Sequence, residues 1–245
     1  MRNAQDELVR KERLATLGQL TATVSHELRN PLGAMRPAVY ILKKHLDKNN
    51  ERLHKSLDVI DRNIERCDHI IDELLDFTRI TDLDLQSTRV DQWLESVIDE
   101  QKIPKGIQLE KVLSLNDVRL DIDAARVRRA VINVIENACH SMMDDNQQVK
   151  DPENSRLQIN TQANNKRFEI VVTDTGSGIA EDVRDKIFEP LFSTKVFGVG
   201  LGMATVKQIM EQHGGGIDIN SQENEGTTVT LWLPESSIVE QGMTT

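Results

Sequence analysis

No stretch of the 245-residue chain approaches the ~20 consecutive apolar residues that a membrane-spanning helix needs. The N-terminus, MRNAQDELVRKERL, is charged throughout and lacks the apolar core of a secretory leader. Cysteine is scarce. Cys67 and Cys139 stand far apart without metal-ligand spacing, so neither a disulfide framework nor a zinc site is indicated. Both fall in helical apolar patterns and are expected to be buried thiols of a reducing compartment. Positive charge is outnumbered, with 30 Lys and Arg against 40 Asp and Glu for a net −10. That balance argues against general nucleic-acid binding, which needs a basic face. A phosphate ligand would have to be held by local geometry rather than bulk charge. Internal repeats and low-complexity tracts are also missing. What remains, 38% apolar and 29% charged, reads as a globular chain with no membrane segment, expected in the cytoplasm.

Two kinds of periodicity divide the chain. In the first third, Leu53, Leu57, Ile60, Ile64, Cys67, Ile71, Leu74 and Thr78 recur at alternating spacings of four and three, a heptad seam. A looser seam precedes it: Leu14, Leu17, Thr21, Val24 and Leu28. The polar segment DKNNE, 47–51, separates the two, so residues 1–82 read as a helical hairpin. Two helices cannot enclose a core, and pairing two hairpins into a four-helix bundle covers the seams. A homodimer is therefore expected, the alternative being that the hairpin packs on the rest of its own chain. Further on, short strand-like runs (IQLEKVL, VRLDI, RLQINTQ, RFEIVVTD) alternate with helical patterns at 91–102, 123–143 and 200–213. GIDINSQ and TTVTLWLP, joined by ENEG, form a closing strand pair. Such interleaving predicts an α/β sandwich of about 155 residues, large enough for its own core.

Several features exceed what folding requires. SHELRNPL, 25–32, places a titratable His26-Glu27 pair and then Pro31 inside a helical pattern. DTGSGI, 174–179, follows the apolar run FEIVV, and GVGLG, 198–202, opens a helical pattern. Glycines at such points let the backbone approach a ligand and expose its amides, although D-x-G-x-G also occurs in ordinary turns. In INVIENACHSM, Asn133 and Asn137 lie one helical turn apart among Val131, Ile132, Val134 and Ile135. Paired carboxamides there either cap neighbouring backbone or hold a hydrated magnesium ion, which prefers oxygen donors.

In order, SHELRNPL, NVIENA, DTGSGI, FEPLFSTK and GVGLG resemble the histidine, asparagine, first glycine, phenylalanine and second glycine boxes of two-component sensor histidine kinases. The likeness continues through EQHGGGIDINSQENEGTTVTLWLP. It implies a dimeric four-helix bundle followed by a Bergerat-type α/β-sandwich ATP-binding domain, α plus α/β overall. The implied domains are 1–82 for dimerisation and histidine phosphotransfer (1–20 being a signalling coiled-coil helix), a linker or hinge at 83–90, a catalytic domain at 91–236 and a tail at 237–245.

The resemblance further implies the activity of a protein-histidine kinase, with ATP and Mg2+ as cofactors. His26 would accept the γ-phosphoryl group, Glu27 would act as its acid/base partner, and Asn30 would position water for dephosphorylating a partner. Asp174 would accept a hydrogen bond from the adenine amino group, supported by Thr227, with Gly176 and Gly178 keeping that pocket open. Asn137, with Asn133 beside it, would hold the metal. The segment 188–200 would be a mobile lid, short as in the nitrogen-regulation branch. Gly198, Gly200 and Gly202 would let it fold, and Lys195 would meet the phosphates. His140 stands where many members carry Lys or Arg, which adds weight to Lys195. Partners implied are a second copy, a response-regulator receiver domain and an upstream sensor domain or sensory partner. An ATPase related to gyrase and a silent dimeric scaffold are the competing readings. Pro31 and Pro37 are expected to bend the first helix. His213, just before Gly214, is expected as a C-terminal cation beside a glycine cap, and His45, His54 and His69 as solvated side chains.

Overall fold

The computed structural model describes residues 28–29, 31–46, 50–78, 82–115, 118–144, 148–164, 166–193 and 200–237. It divides into two compact units, one built on the helices before residue 82, with which residues 200–201 group, and one on the sheet and the remaining helices.

The first unit is a hairpin of α1 (31–45) and α2 (Glu51–Thr78). Asn50 caps α2, its side-chain oxygen accepting from the Leu53 N–H at 3.3 Å. Ion pairs follow the antiparallel register. Lys43 reaches Asp58 at 3.0 Å and Asp61 at 2.6 Å, and Arg36 reaches Asp68 at 3.5 Å. Moving back along α1 from Lys43 to Arg36 thus moves the partner forward along α2 from Asp61 to Asp68. Val39, Leu57 and Ile64 form a small core with Leu32 and Leu46.

That core uses only part of the seam. Leu57, Ile64 and Ile71 are buried, whereas Leu53, Ile60 and Cys67, also seven residues apart, are exposed. Cys67, expected to be buried, therefore lies on an edge of α2 that the single chain leaves open. The helix of α1 continues through Pro37, although the missing proline N–H removes one bond to the exposed Gly33 carbonyl. His45 is exposed and His54 half-buried. Of the first seam, Leu28 is exposed, and Leu14, Leu17, Thr21 and Val24 lie outside the described residues.

The second unit begins earlier in the chain than its periodicity suggests. Residues 86–89, within the stretch read as a linker, form β1 (Gln86–Arg89), antiparallel to β3 (Arg119–Ile122). Four residues are too few to show alternation, and the partner lies about thirty residues downstream. Then come α3 (Val90–Asp99), β2 (Gln108–Leu113), α4 (Ala124–Ser141), β4 (Arg156–Asn164), β5 (Arg167–Asp174), the single turn α5 (Glu181–Arg184), α6 (Gly202–Gln212), β6 (Gly216–Gln222) and β7 (Gly226–Pro234). Every strand and long helix read from the periodicity of this half is present, with β1 and α5 added.

The main sheet runs β2-β4-β5-β7-β6, parallel between β2 and β4 and antiparallel elsewhere. Side chains of one face line up across three strands. Ile159, Val172 and Val229 form one row, and Thr161, Ile170 and Leu231 the next. Val127, Ala130, Val131, Val134 and Ile135 of α4 share this core with Val206, Ile209 and Met210 of α6. Burying a side chain of this size is worth about 1.5–3 kcal/mol, which holds the helical layer to the sheet.

Candidate nucleotide-binding site

The row at the end of the sheet differs from the apolar ones. Its members are Leu157 on β4, Asp174 on β5, Thr227 on β7 and Ser221 on β6. Asp174, Thr227 and Ser221 are all buried. Ser221 Oγ accepts from the Ile179 N–H at 2.9 Å and lies 3.0 Å from the Gly226 carbonyl and 2.9 Å from Thr227 Oγ1. Arg184 donates to the Ser221 carbonyl. The turn 174–179 is thereby held from the β6–β7 side.

On the α4 side, Asp174 Oδ1 receives the Gly176 N–H at 2.8 Å and faces Ser141 Oγ at 2.8 Å. Backbone approach here is close. A Cβ on Gly176 would lie 1.8 Å from Ser141 Oγ, and one on Gly178, whose φ is +66°, 2.1 Å from the Gln222 carbonyl oxygen. At both glycines the space of a side chain is filled by protein, so they fix the shape of the turn around the Asp174 carboxylate. Gly226, at φ +117°, admits the Asp174 carbonyl in the same way.

Asn133 and Asn137 are half-buried on α4, between buried Val131, Val134 and Ile135. The N-terminus of α6 lies beside Asn133: a Cβ on Gly202 would be 3.8 Å from its carboxamide. Aligned amides at that end carry partial positive charge. The described residues contain no group of three or more His, Cys, Asp or Glu that could hold a metal. The two carboxamides carry neutral oxygen donors, the kind that a hard cation such as magnesium accepts.

Cys139, buried one turn from Glu136 and near Asp174, has its thiol pushed up to about 11, first by burial and then by those two negative charges. It is held as a neutral thiol. Gly200 takes a φ of +73°, which favours glycine. His26, Glu27, Asn30, Lys195 and Gly198 lie outside the described residues. Ser141 and Ser221 were not among the residues singled out from sequence. Serines carry no spacing signature, and their partners lie 33 and 42 positions away.

The ATPase family described as histidine kinase-, DNA gyrase B- and HSP90-like matches residues 122–237, and the His Kinase A phospho-acceptor domain matches 16–83. The phospho-acceptor match precedes the ATPase match along the chain, with residues 84–121 between them. The chain belongs to the two-component sensor histidine kinases.

Among curated members of the family, it is 33% identical over 233 residues to the sensor histidine kinase ZraS of Escherichia coli K12, covering 94% of this chain and 48% of that one. It is 31% identical over 246 residues to the signal transduction kinase AtoS of the same organism, covering 95% and 37%. The chain thus spans about half or less of these relatives. Among solved kinases, ThkA in complex with the response regulator protein TrrA aligns at TM-score 0.64 and 27% identity, over 96% of this chain and 66% of that one. Full-length ShkA with AMPPNP aligns at TM-score 0.71 over 89% and 46%, and at 22% identity supports the fold alone. Among the described residues, no helix is long and apolar enough to cross a membrane.

Proposed function

We propose that this chain is the kinase core of a two-component sensor, located in the cytoplasm, which moves the γ-phosphoryl group of ATP to His26 and then to an aspartate of a receiver domain. The observation that carries the reading is the convergence of the buried Asp174 turn, the Asn133–Asn137 face of α4 and the N-terminus of α6 within one unit. A carboxylate, two carboxamides and a helix N-terminus offer complementary groups for a base amine, a phosphate-bound cation and an anionic tail.

In this reading Asp174, buttressed by Thr227 and shaped by Gly176 and Gly178, accepts from the adenine amino group. Asn137 and Asn133 would hold magnesium, which would supply charge neutralisation along the triphosphate. Lys195 and the amides freed by Gly198, Gly200 and Gly202 would receive the phosphates beneath the segment 188–200. The phosphorus–oxygen bond to the leaving ADP breaks as a phosphorus–nitrogen bond to His26 forms. Glu27 takes the hydrogen bond of the second ring nitrogen and makes the attacking one more nucleophilic. Asn30, one turn beyond, would orient water when the receiver is dephosphorylated. The domains would be a dimerising hairpin over 1–82 with an entering helix at 1–20, a short connection at 83–85, a catalytic domain that takes in β1 and runs over 86–236, and a tail at 237–245. Two copies would pair through α2, the phosphohistidine would meet the receiver domain, and an upstream sensor domain or sensory partner would set the balance.

Incubation with γ-labelled ATP and magnesium tests this. Acid-labile, base-stable label is expected on the chain and should vanish in His26→Gln. ATP hydrolysis with no label on protein would instead place the chain with the gyrase-type ATPases.

A further inference from the structure

We propose that Ser141 is a positioning residue for base recognition, holding the Asp174 carboxylate in the orientation that selects a purine with an exocyclic amine. This rests on the reading of Asp174 given above.

Ser141 is the last residue of α4 and follows Asn133 and Asn137 at successive intervals of four. The three side chains lie along one stripe of the helix, about 6 Å apart per step. The helix that carries the carboxamides for the phosphate end thus ends on the residue that meets the base-reading carboxylate. Ser141 grips the turn 174–177 twice: its hydroxyl lies 2.8 Å from Asp174 Oδ1, and its carbonyl accepts from the Ser177 N–H at 3.2 Å. Asp174 Oδ1 also receives the Gly176 N–H at 2.8 Å. Two donors on one carboxylate oxygen fix rotation about Cβ–Cγ, and hydrogen bonds to an ionised acceptor are the stronger kind. The need for glycine at 176 follows from the same contact, because a Cβ there would fall 1.8 Å from the Ser141 hydroxyl and 2.5 Å from its Cβ.

The bland account is that Ser141 merely finishes its helix. Its hydroxyl also lies 2.7 Å from the Ala138 carbonyl, the back-bonding that serines make near helix ends. One hydroxyl proton cannot serve both acceptors fully, so the two accounts predict different consequences of removing it.

Calorimetric binding of ATP and of inosine triphosphate, which carries a carbonyl in place of the amine, separates them on the full chain with magnesium. Ser141→Ala is expected to weaken ATP by about tenfold, the loss of one hydrogen bond to a charged group, and to leave inosine triphosphate unchanged. In autophosphorylation the loss should fall on KM for ATP rather than on kcat. Ser141→Thr, which keeps the hydroxyl, should restore most of the ATP preference. In an Asp174→Asn background, Ser141→Ala should have no further effect. Equal loss of both nucleotides, or loss of neither, would overturn the proposal in favour of the helix-end role. Should Ser141→Ala fail to fold, Ser141→Cys, with a weaker donor of similar size, is expected to give an intermediate ATP preference, and a preference equal to the parent's would count against the proposal. If Asp174→Asn left the preference for ATP intact, the reading of Asp174 itself would fall, whatever Ser141 does.

Discussion

At the residue scale, His213 shows how far a side chain's role can depend on a distant partner. Its place at the end of a helix before Gly214 suggests a cation facing the helix dipole. The glycine half of that expectation holds. Gly214 has a φ of +73°, and the N–H groups of Gly214 and Gly215 return to the carbonyls of Glu211 and Met210. The cation half does not. His213 Nε2 accepts from the Asp123 N–H at 3.0 Å, and Nδ1 lies 2.8 Å from the Ile209 carbonyl, so the ring is neutral with its proton on Nδ1. Burial lowers its pKa from the ordinary 6.5, against a rise from the Ile209 carbonyl and Asp123 and with a further decrease from Arg126. The sequence could not show this, since Asp123 is 90 positions away. A protonated ring would set an N–H against the Asp123 N–H. The unfolded chain therefore binds this proton more readily, and the stabilising contact is present above the ordinary pKa and lost as pH falls below it. Thermal melting of the second unit should weaken between pH 7 and 5.5. His213→Ala should lower the melting temperature at pH 7.5 by roughly 2–4 °C, for about 1 kcal/mol, and flatten that part of the pH profile. An unchanged slope in the variant would show that other groups govern it.

Among the elements, legibility followed length and repetition. Strands β4, β5 and β7 run for eight or nine residues and bury alternate side chains along most of their length, so periodicity located them. β1, with four residues, and α5, with one turn, have no period to read. The heptad seam of α2 was legible as apolar, but which edge meets α1 and which stays open was not, because both edges carry the same residue types. The structure separates them: Leu57 and Ile64 pack within the hairpin, whereas Leu53 and Ile60 are 46% and 44% exposed. An apolar edge of this regularity suits a second copy of the hairpin. Ile60→Asp tests that assignment, since within one chain the position tolerates charge. In a four-helix bundle it would bury two carboxylates, costing at least about 3 kcal/mol and more than a hundredfold in dimer dissociation constant. Sedimentation should then report monomers with unchanged helix content. Retained dimers would move the dimer contact to another face.

For the whole molecule, the division into two cores is the feature with the broadest consequence. The hairpin core of Val39, Leu57 and Ile64 shares no residue with the large core beneath the sheet, and the change of periodicity near residue 82 falls between the residues of the two cores. The motifs were legible for the same reason, since each is short and local. The serines that hold the turn 174–179 from α4 and β6 were not, because the fold alone brings them there. The second unit, with its own buried core and all of Asn133, Asn137, Asp174 and Thr227, should therefore fold and bind ATP as a fragment of residues 82–237. The proposed reaction joins the units, for the phosphoryl donor belongs to one and His26 to the other. Covalent connection supplies an effective concentration on the order of millimolar, so two fragments mixed at about 10 μM should react about a hundredfold more slowly. Labelling of a 1–81 fragment by γ-labelled ATP is expected to rise linearly with the concentration of the 82–237 fragment. It should disappear when the acceptor fragment carries His26→Gln or the donor fragment carries Asp174→Asn. Tight ATP binding by the donor fragment with no label on the acceptor at any concentration would mean that the connection aligns the two units rather than merely keeping them together.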